Sequence, residues 1–223
     1  SPDMKHKHVE RALMSGGWSA AAPFAPATHH SPGGWSVSWA RHLDEVREAQ
    51  RLRHQVFAGE MGARLSTSLP GHDIDLFDDF CEHLLVREAP GGQVIGTCRV
   101  LTPGQARRVG STHSDTGFDL TRLRAVRERM VEVGRSGVHR DHRRGGVTLA
   151  LWGALGRFMT VNGLDTMIGC ARIPMHQDGR VAAGIWRQVR ERHLAPIDWH
   201  VRPRLPLPVD RLDDSLDAQP PAL

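Results

Sequence analysis

A chain of 223 residues with 39% hydrophobic and 24% charged residues has the balance of one globular domain with tails, which excludes a wholly disordered chain. Its net charge of +4, from 29 Lys+Arg against 25 Asp+Glu, is too mild to indicate nucleic-acid binding without a local basic patch. No apolar run is long enough to span a bilayer, the N-terminus lacks the ordered regions of a secretory signal, and Cys81, Cys98 and Cys170 are too sparse for a disulfide scaffold, so the expected compartment is the cytoplasm.

Residues 1–34 are rich in Ser, Gly, Ala, Pro and His without sustained periodicity and read as a flexible tail. His6 and His8, or His29 and His30, could hold a metal only loosely. From Trp35 the pattern Trp-Ser-Val-Ser-Trp alternates as a strand does. Val46, Ala49, Val56 and Phe57 fall at helical spacing over residues 43–59. Residues 83–87 and 94–101, joined through Pro90-Gly91-Gly92, predict a hairpin, and residues 130–138 a further strand. Gly145-Gly146 opens a helix whose face carries Val147, Leu151, Ala154, Leu155 and Phe158, stopped by Asn162-Gly163. A strand over 166–173, a helix marked by Ala182, Ile185, Trp186, Val189 and His193, and a last strand over 197–201 follow. The expected fold class is α/β (α+β): a mixed, twisted sheet with helices on both faces, in one domain over 35–209, with a C-terminal tail over 210–223.

Three clusters carry chemistry. His72, Asp73, Asp75, Asp78 and Asp79 bracket Phe77, and four carboxylates within seven residues repel one another unless a cation neutralises them. A calcium loop is excluded, because Phe77 and Asp78 stand where it needs Asp or Asn and then Gly. The segment is either a solvated acidic loop or a site for a positively charged substrate. In the second cluster, Glu132, Gly134 and Ser136 share one face of a regular strand, with Arg135 on the other. A glutamate and an arginine in an apolar strand need partners, so they serve either a site or an ion pair with the acidic loop. The third cluster runs from Arg135 through His139, Arg140, His142, Arg143 and Arg144 to Gly145-Gly146 at a helix start, where backbone N–H groups and the dipole favour an anion such as a phosphate. Nucleophile-elbow, P-loop and zinc-ligand spacings are all missing. His193 and Asp198 have the His-x4-Asp spacing of glycerolipid acyltransferases, but without a supporting motif, straddling Pro196, the spacing reads as coincidence.

Taken in order, Leu52-Arg53 to Phe57, Glu60-Met61-Gly62, Asp73 to Asp78, His83 to Val86, Gly96 to Arg99, Phe118-Asp119-Leu120 and Glu132 to Ser136 resemble the L-ornithine N-alpha-acyltransferases, the ornithine lipid synthases filed as hemolysin-like GNAT proteins. The likeness covers about residues 35–209. Acyl-homoserine lactone synthases are more distantly similar. The resemblance implies a GNAT-like fold in which a pantetheine arm enters between two splayed parallel strands, here 130–138 and 166–173. It implies transfer of a 3-hydroxyacyl group from acyl carrier protein to the alpha-amine of L-ornithine, giving lyso-ornithine lipid, by direct attack of the amine. No bound cofactor or metal is implied; the acyl carrier thioester is a cosubstrate. On this reading Glu132 or Asp75 is the base, and backbone N–H near Gly134 serves the oxyanion. Arg53, Phe57, Asp78, Arg99, Phe118, Arg135 and Ser136 bind substrate, with Arg53, Arg99 and Arg135 bracing the acidic loop. Arg140, Arg143, Arg144, Gly145 and Gly146 receive the phosphopantetheine and the carrier. Where that family usually has Tyr, this chain has His54, Cys98 and His113. The implied partners are acyl carrier protein and an amino acid, with peripheral contact at the inner membrane and no nucleic acid. Acylation of another amine, a coenzyme A donor, or a non-enzymatic basic module that binds nucleic acid or anionic lipid are the competing readings.

Overall fold

The computed structural model describes residues 29–30, 34–60, 62, 68–175 and 177–208. The tails read over 1–34 and 210–223 lie outside these, apart from Gly34 and His29–His30. That pair forms a two-residue edge strand, β1, against β2, so the ordered sheet begins inside the stretch read as tail.

The main sheet runs β1-β2-β3-β4-β6-β7. β2 (Ser36–Trp39), β3 (Glu82–Arg87), β4 (Val94–Leu101) and β6 (Met130–Val138) are successively antiparallel. β7 (Thr166–Ile168) is parallel to β6, and the expected 166–173 strand stops after these three residues. β5 (Phe118–Asp119) and β8 (Arg202–Pro203) make a separate two-stranded ribbon. The strand expected over 197–201 is instead a 3-10 turn at Ile197–Trp199 ahead of β8, after Pro196 has removed a ladder donor.

Helices cover both faces. α3 (Val147–Val161) places Val147, Leu151, Ala154, Leu155 and Phe158 on Val37, Trp39, Leu84, Val86, Ile95, Cys98, Val100 and Val131. Its start comes so close to β4 that a Cβ on Gly96 would lie 2.5 Å from Val147 Cγ1, so only glycine fits there. On the opposite face, α1 (Leu43–His54) packs Val46, Ala49 and Leu52, with Val56 beyond it, on Leu85 and Val94. Asp44 and Glu45 in its first turn and Arg51, Arg53 and His54 in its last suit the helix dipole. Residues 55–59, expected to prolong this helix, lie instead in a π-helical turn over Gln55–Glu60. α2 (Pro103–Val109), not expected from the sequence, follows β4 with Thr102 as N-cap, and α4 (Arg180–His193) follows β7. No helix among the described residues is long and apolar enough to cross a membrane.

Candidate functional site

The buried stripe of α1 is not wholly apolar. Gln50 and Arg53 lie four and seven residues after Val46, so the helical period turns both inward with it. Arg53 is 1% exposed and donates from Nε to Asp73 at 2.9 Å and from both terminal nitrogens to Asp78 at 2.9 Å. Arg99, from β4, donates to Asp78 at 2.8 Å and to Asp75 at 2.5 Å. Gln50 adds a donor to Asp78 at 3.0 Å. The acidic segment is itself shaped by carboxylates: Asp75 Oδ1 accepts from the Phe77 N–H and Asp78 Oδ2 from the Asp75 N–H, a reciprocal cap on the turn Leu76–Phe80. Burial works against the Asp78 charge, but Arg53 and then Arg99 outweigh it and hold its pKa well below the usual carboxylate range. For Asp75 too, burial is overcome, by its hydrogen bond to Arg99.

The segment is therefore neither a solvated acidic loop nor, over most of its length, a pocket for a cation. Arg53, Asp78 and Arg99, expected at the substrate, are sealed against one another and form the site's frame. Three arginines face four carboxylates, because Arg135 reaches Asp73 and Asp75 at 3.4 and 3.5 Å. The carboxylate left over is Asp79. Burial and then the nearby Asp78 charge push its pKa up to about 6 against the opposing pull of Arg47.

The second cluster departs from a regular strand. Between Thr97 and Arg99 the β4–β6 register slips, so that Arg135 and Ser136 together stand opposite Cys98. Arg135 adopts φ 50°, a bulge whose extra residue reverses the alternation beyond it. Arg135 consequently lies on the same side of the sheet as Glu132, over the Phe57 ring at 6.0 Å, not on the opposite face as period two predicts. Ser136 is out of phase with Glu132 and Gly134. Arg135 makes the expected ion pair with the acidic loop, and Glu132 turns elsewhere. Its carboxylate accepts from the His113 N–H at 2.8 Å, the Ser114 N–H at 2.7 Å and the Ser114 hydroxyl at 2.5 Å. A buried glutamate thus holds the turn that opens Ser114–Thr116. His113 belongs to none of the three sequence clusters, yet the fold brings it here: its ring meets Phe77 edge-on at 5.6 Å, and Arg99 lies over Phe77 at 5.8 Å.

Between the two parallel strands a fork opens. β6 pairs with β7 only at Met130, Val131 and Glu132. The chain after β7 stays close for one residue more, since a Cβ on Gly169 would come within 2.8 Å of the Val133 carbonyl oxygen. Beyond it, β6 continues alone on that side among the described residues. A Cβ on Gly134 would meet no described atom within 4 Å, so the strand is open beside Glu132. Phe118 joins the apolar floor with Leu120, Leu123, Val126, Met130 and Ile168. Past the end of β6, His139 Nδ1 accepts from the Asp141 N–H at 3.2 Å, and Arg140, Arg143 and Arg144 are exposed before α3. The first turn of α3 holds no acidic residue. Gly145 and Gly146 back onto the Trp35 ring, where added Cβ atoms would come within 3.2 and 3.4 Å. No group of metal-ligating side chains occurs among the described residues. Burial raises the pKa of both the Cys81 and Cys98 thiols, so neither supplies a ready thiolate.

Residues 52–153 match the family model of the acetyltransferase (GNAT) domain. The chain is 34% identical over 150 residues to the L-ornithine N(alpha)-acyltransferase of Rhodobacter capsulatus, covering 63% of this chain and 57% of that protein. It is 33% identical over 148 residues to the protein of the same name from Brucella abortus, covering 62% and 53%. The matched stretch therefore spans little more than half the length of these relatives. Among solved structures, the AHL synthase LasI overlays on 71% of this chain and 79% of its own, at 19% identity and TM-score 0.47. The CoA-dependent acyl-homoserine lactone synthase BjaI, solved with SAM and isopentyl-CoA, covers 57% and 59% at 25% identity and TM-score 0.43. Within or beside the matched stretch, the bulge lies between β4 and β6, the fork between β6 and β7, and the arginine-framed acidic turn on the α1 side of the sheet.

Proposed function

We propose that this protein is an N-acyltransferase that moves a fatty acyl group, of 3-hydroxyacyl type, from acyl carrier protein to the alpha-amine of L-ornithine, giving lyso-ornithine lipid. The fork between β6 and β7 beside Glu132 carries this reading, supported by the likeness to L-ornithine N(alpha)-acyltransferases. An extended pantetheine arm laid in the fork would find the free edge of β6 at residues 133–135, where Gly134 leaves room for a thioester. Backbone N–H near Gly134 would then lie close to the oxyanion. The amine attacks the thioester carbon directly, in keeping with the missing nucleophile motif. Holding amine and thioester together in one cleft supplies the entropic part of catalysis.

Arg135 is the member of the arginine set suited to meet the acceptor. It is 19% exposed and only loosely engaged by Asp73 and Asp75, and a guanidinium recognises a carboxylate such as an amino acid carries. Asp75, 22% exposed, offers the opposite charge beside it. The phosphate of the arm would fall to the start of α3, with acidic carrier protein against Arg140, Arg143 and Arg144. A lipid product makes contact with the face of the inner membrane part of the same proposal.

The test incubates the protein with 3-hydroxyacyl carrier protein, the matching coenzyme A thioester and a mixture of amino acids, and reads products by mass spectrometry. Acyl-ornithine from the carrier donor supports the reading. Acylation of a different amine, or coenzyme A alone as donor, moves the assignment within the fold. Salt-sensitive binding of nucleic acid with no acyl transfer replaces it with the basic-module reading.

A further inference from the structure

The site brings together several titratable groups, and most are already committed. Asp78 and Asp73 are buried on Arg53. Burial opposes the Asp75 charge, but its hydrogen bond to Arg99 outweighs this and holds its pKa below the ordinary range, so it is a poor proton acceptor near neutral pH. His83 is 1% exposed, its Nε2 on the Asp78 carbonyl at 2.9 Å. The Glu132 carboxylate is engaged by three donors from a single turn. His113 remains, half-buried, with an imidazole among the charged groups.

Its place is fixed by the fork. The His113 N–H is bound by Glu132, the last β6 residue paired with β7. The hydroxyl of the next residue, Ser114, lies 3.3 Å from Cys170 Sγ, two residues past the end of β7. The turn 113–114 thus bridges the two strands where they part. The ring leans edge-on against Phe77, whose own ring carries Arg99. The charged groups around it are Arg99 from β4, Glu132 and Arg135 from β6, and Asp75 from the acidic turn.

We propose that His113 is the general base that takes the ammonium proton at the fork, and that Glu132 is a positioning residue that sets the turn carrying it. This rests on the acyl-transfer reading above. One proton of the R–NH3⁺ group passes to the imidazole, and the freed lone pair forms the C–N bond at the thioester carbonyl carbon. The C–S bond then breaks with its electron pair on sulfur. The second proton lost from nitrogen ends on the departing thiolate, and the proton on His113 returns to solvent. The surroundings favour a neutral ring able to accept a proton, since burial, then the Arg99 charge, lowers its pKa from the ordinary value of 6.5.

The test is the pH dependence of kcat and kcat/KM between about pH 5 and 9, with L-ornithine and 3-hydroxyacyl carrier protein. Wild type should show an acid limb with an apparent pKa below the usual histidine value of about 6.5. His113→Gln, checked for fold by thermal melting, should lower kcat by roughly 10²- to 10⁴-fold and lose that limb. Added imidazole should restore part of the rate in His113→Ala. Glu132→Gln should lower kcat but retain the limb. Wild-type rate and pH profile in His113→Gln would overturn the assignment. So would an acid limb that disappears with Glu132→Gln and persists with His113→Gln. If wild type acylates no amine from any donor, the acyl-transfer reading itself fails and the assignment fails with it.

Discussion

Two carboxylates lie buried on the same side of the sheet, and the protein neutralises them by different means. Asp78 is matched by full charges, Arg53 from α1 and Arg99 from β4, two elements converging on one carboxylate. Glu132 is matched by dipoles: two peptide N–H groups and one hydroxyl, all from the turn 113–114. The first arrangement ties distant parts of the chain into a rigid frame. The second ties a strand to a loop and leaves the loop's side chain, His113, facing the site. Ion pairing builds the scaffold here, and backbone hydrogen bonding sets the turn that carries the proposed base.

That contrast sets the order of expected effects. Arg53→Met should be the most damaging change, because it removes the buried cation that Asp73 and Asp78 share and leaves Asp78 to Arg99 and Asp73 to the long contact with Arg135; a loss of roughly 3–5 kcal/mol in urea unfolding is expected. Arg53→Lys should recover little, since an ammonium cannot span both carboxylates as the fork of a guanidinium does. Glu132→Gln comes next. The amide can still accept through its oxygen, but one of the donors at 113–114 loses its partner, for a cost of about 1–3 kcal/mol. If that loss instead equals the Arg53 loss, the turn belongs to the frame and the contrast collapses.

Arg135→Gln should cost only about 1 kcal/mol, as its contacts are long and part-exposed, yet raise KM for the amino acid. A large stability loss with unchanged KM would place Arg135 in the scaffold. Charge reversal at Arg140, Arg143 and Arg144 should leave stability nearly untouched and raise KM for the carrier most at low salt. Carrier affinity unchanged at low salt would put the docking site elsewhere.

Asp79 gives the most pH-specific effect. Its folded pKa of about 6 lies above the ordinary value of 3.8. Its contribution to stability is therefore fully present below pH 3.8 and lost as pH rises through 6, where the folded protein must ionise a crowded carboxylate. Asp79→Asn should raise the melting temperature above about pH 6, with the gain shrinking toward zero near about pH 4. A pH-independent gain would mean that packing, not charge, sets the effect.

Much of this was legible in the sequence. Period two and period 3.6 placed β3, β4, β6, α1, α3 and α4, because each buries a continuous apolar stripe. That the acidic segment needs cations was legible as well, since four clustered carboxylates repel one another; that Arg53, Arg99 and Arg135 supply them was implied by the resemblance. What escaped depends on contacts distant in sequence or on backbone that departs from its period. The Arg135 bulge leaves no apolar signature, although Gly134 and Gly137 flank it. The bond from Glu132 to the 113–114 turn runs to peptide N–H groups, which every residue but proline has, so no residue type announces it. β7 read as longer than it is because the apolar character of residues 166–168 trails into a segment that leaves the sheet.

The brevity of the β6–β7 pairing has a consequence for handling the protein. A strand that, among the described residues, continues alone beyond Val133 presents a row of peptide donors and acceptors to any extended chain, and such open edges are templates for self-association. The edge proposed to admit the donor would therefore admit a neighbouring copy's strand during concentration or storage. A tightly held acyl donor should act as a stopper in that edge, slowing aggregation as well as raising the melting temperature in proportion to its affinity.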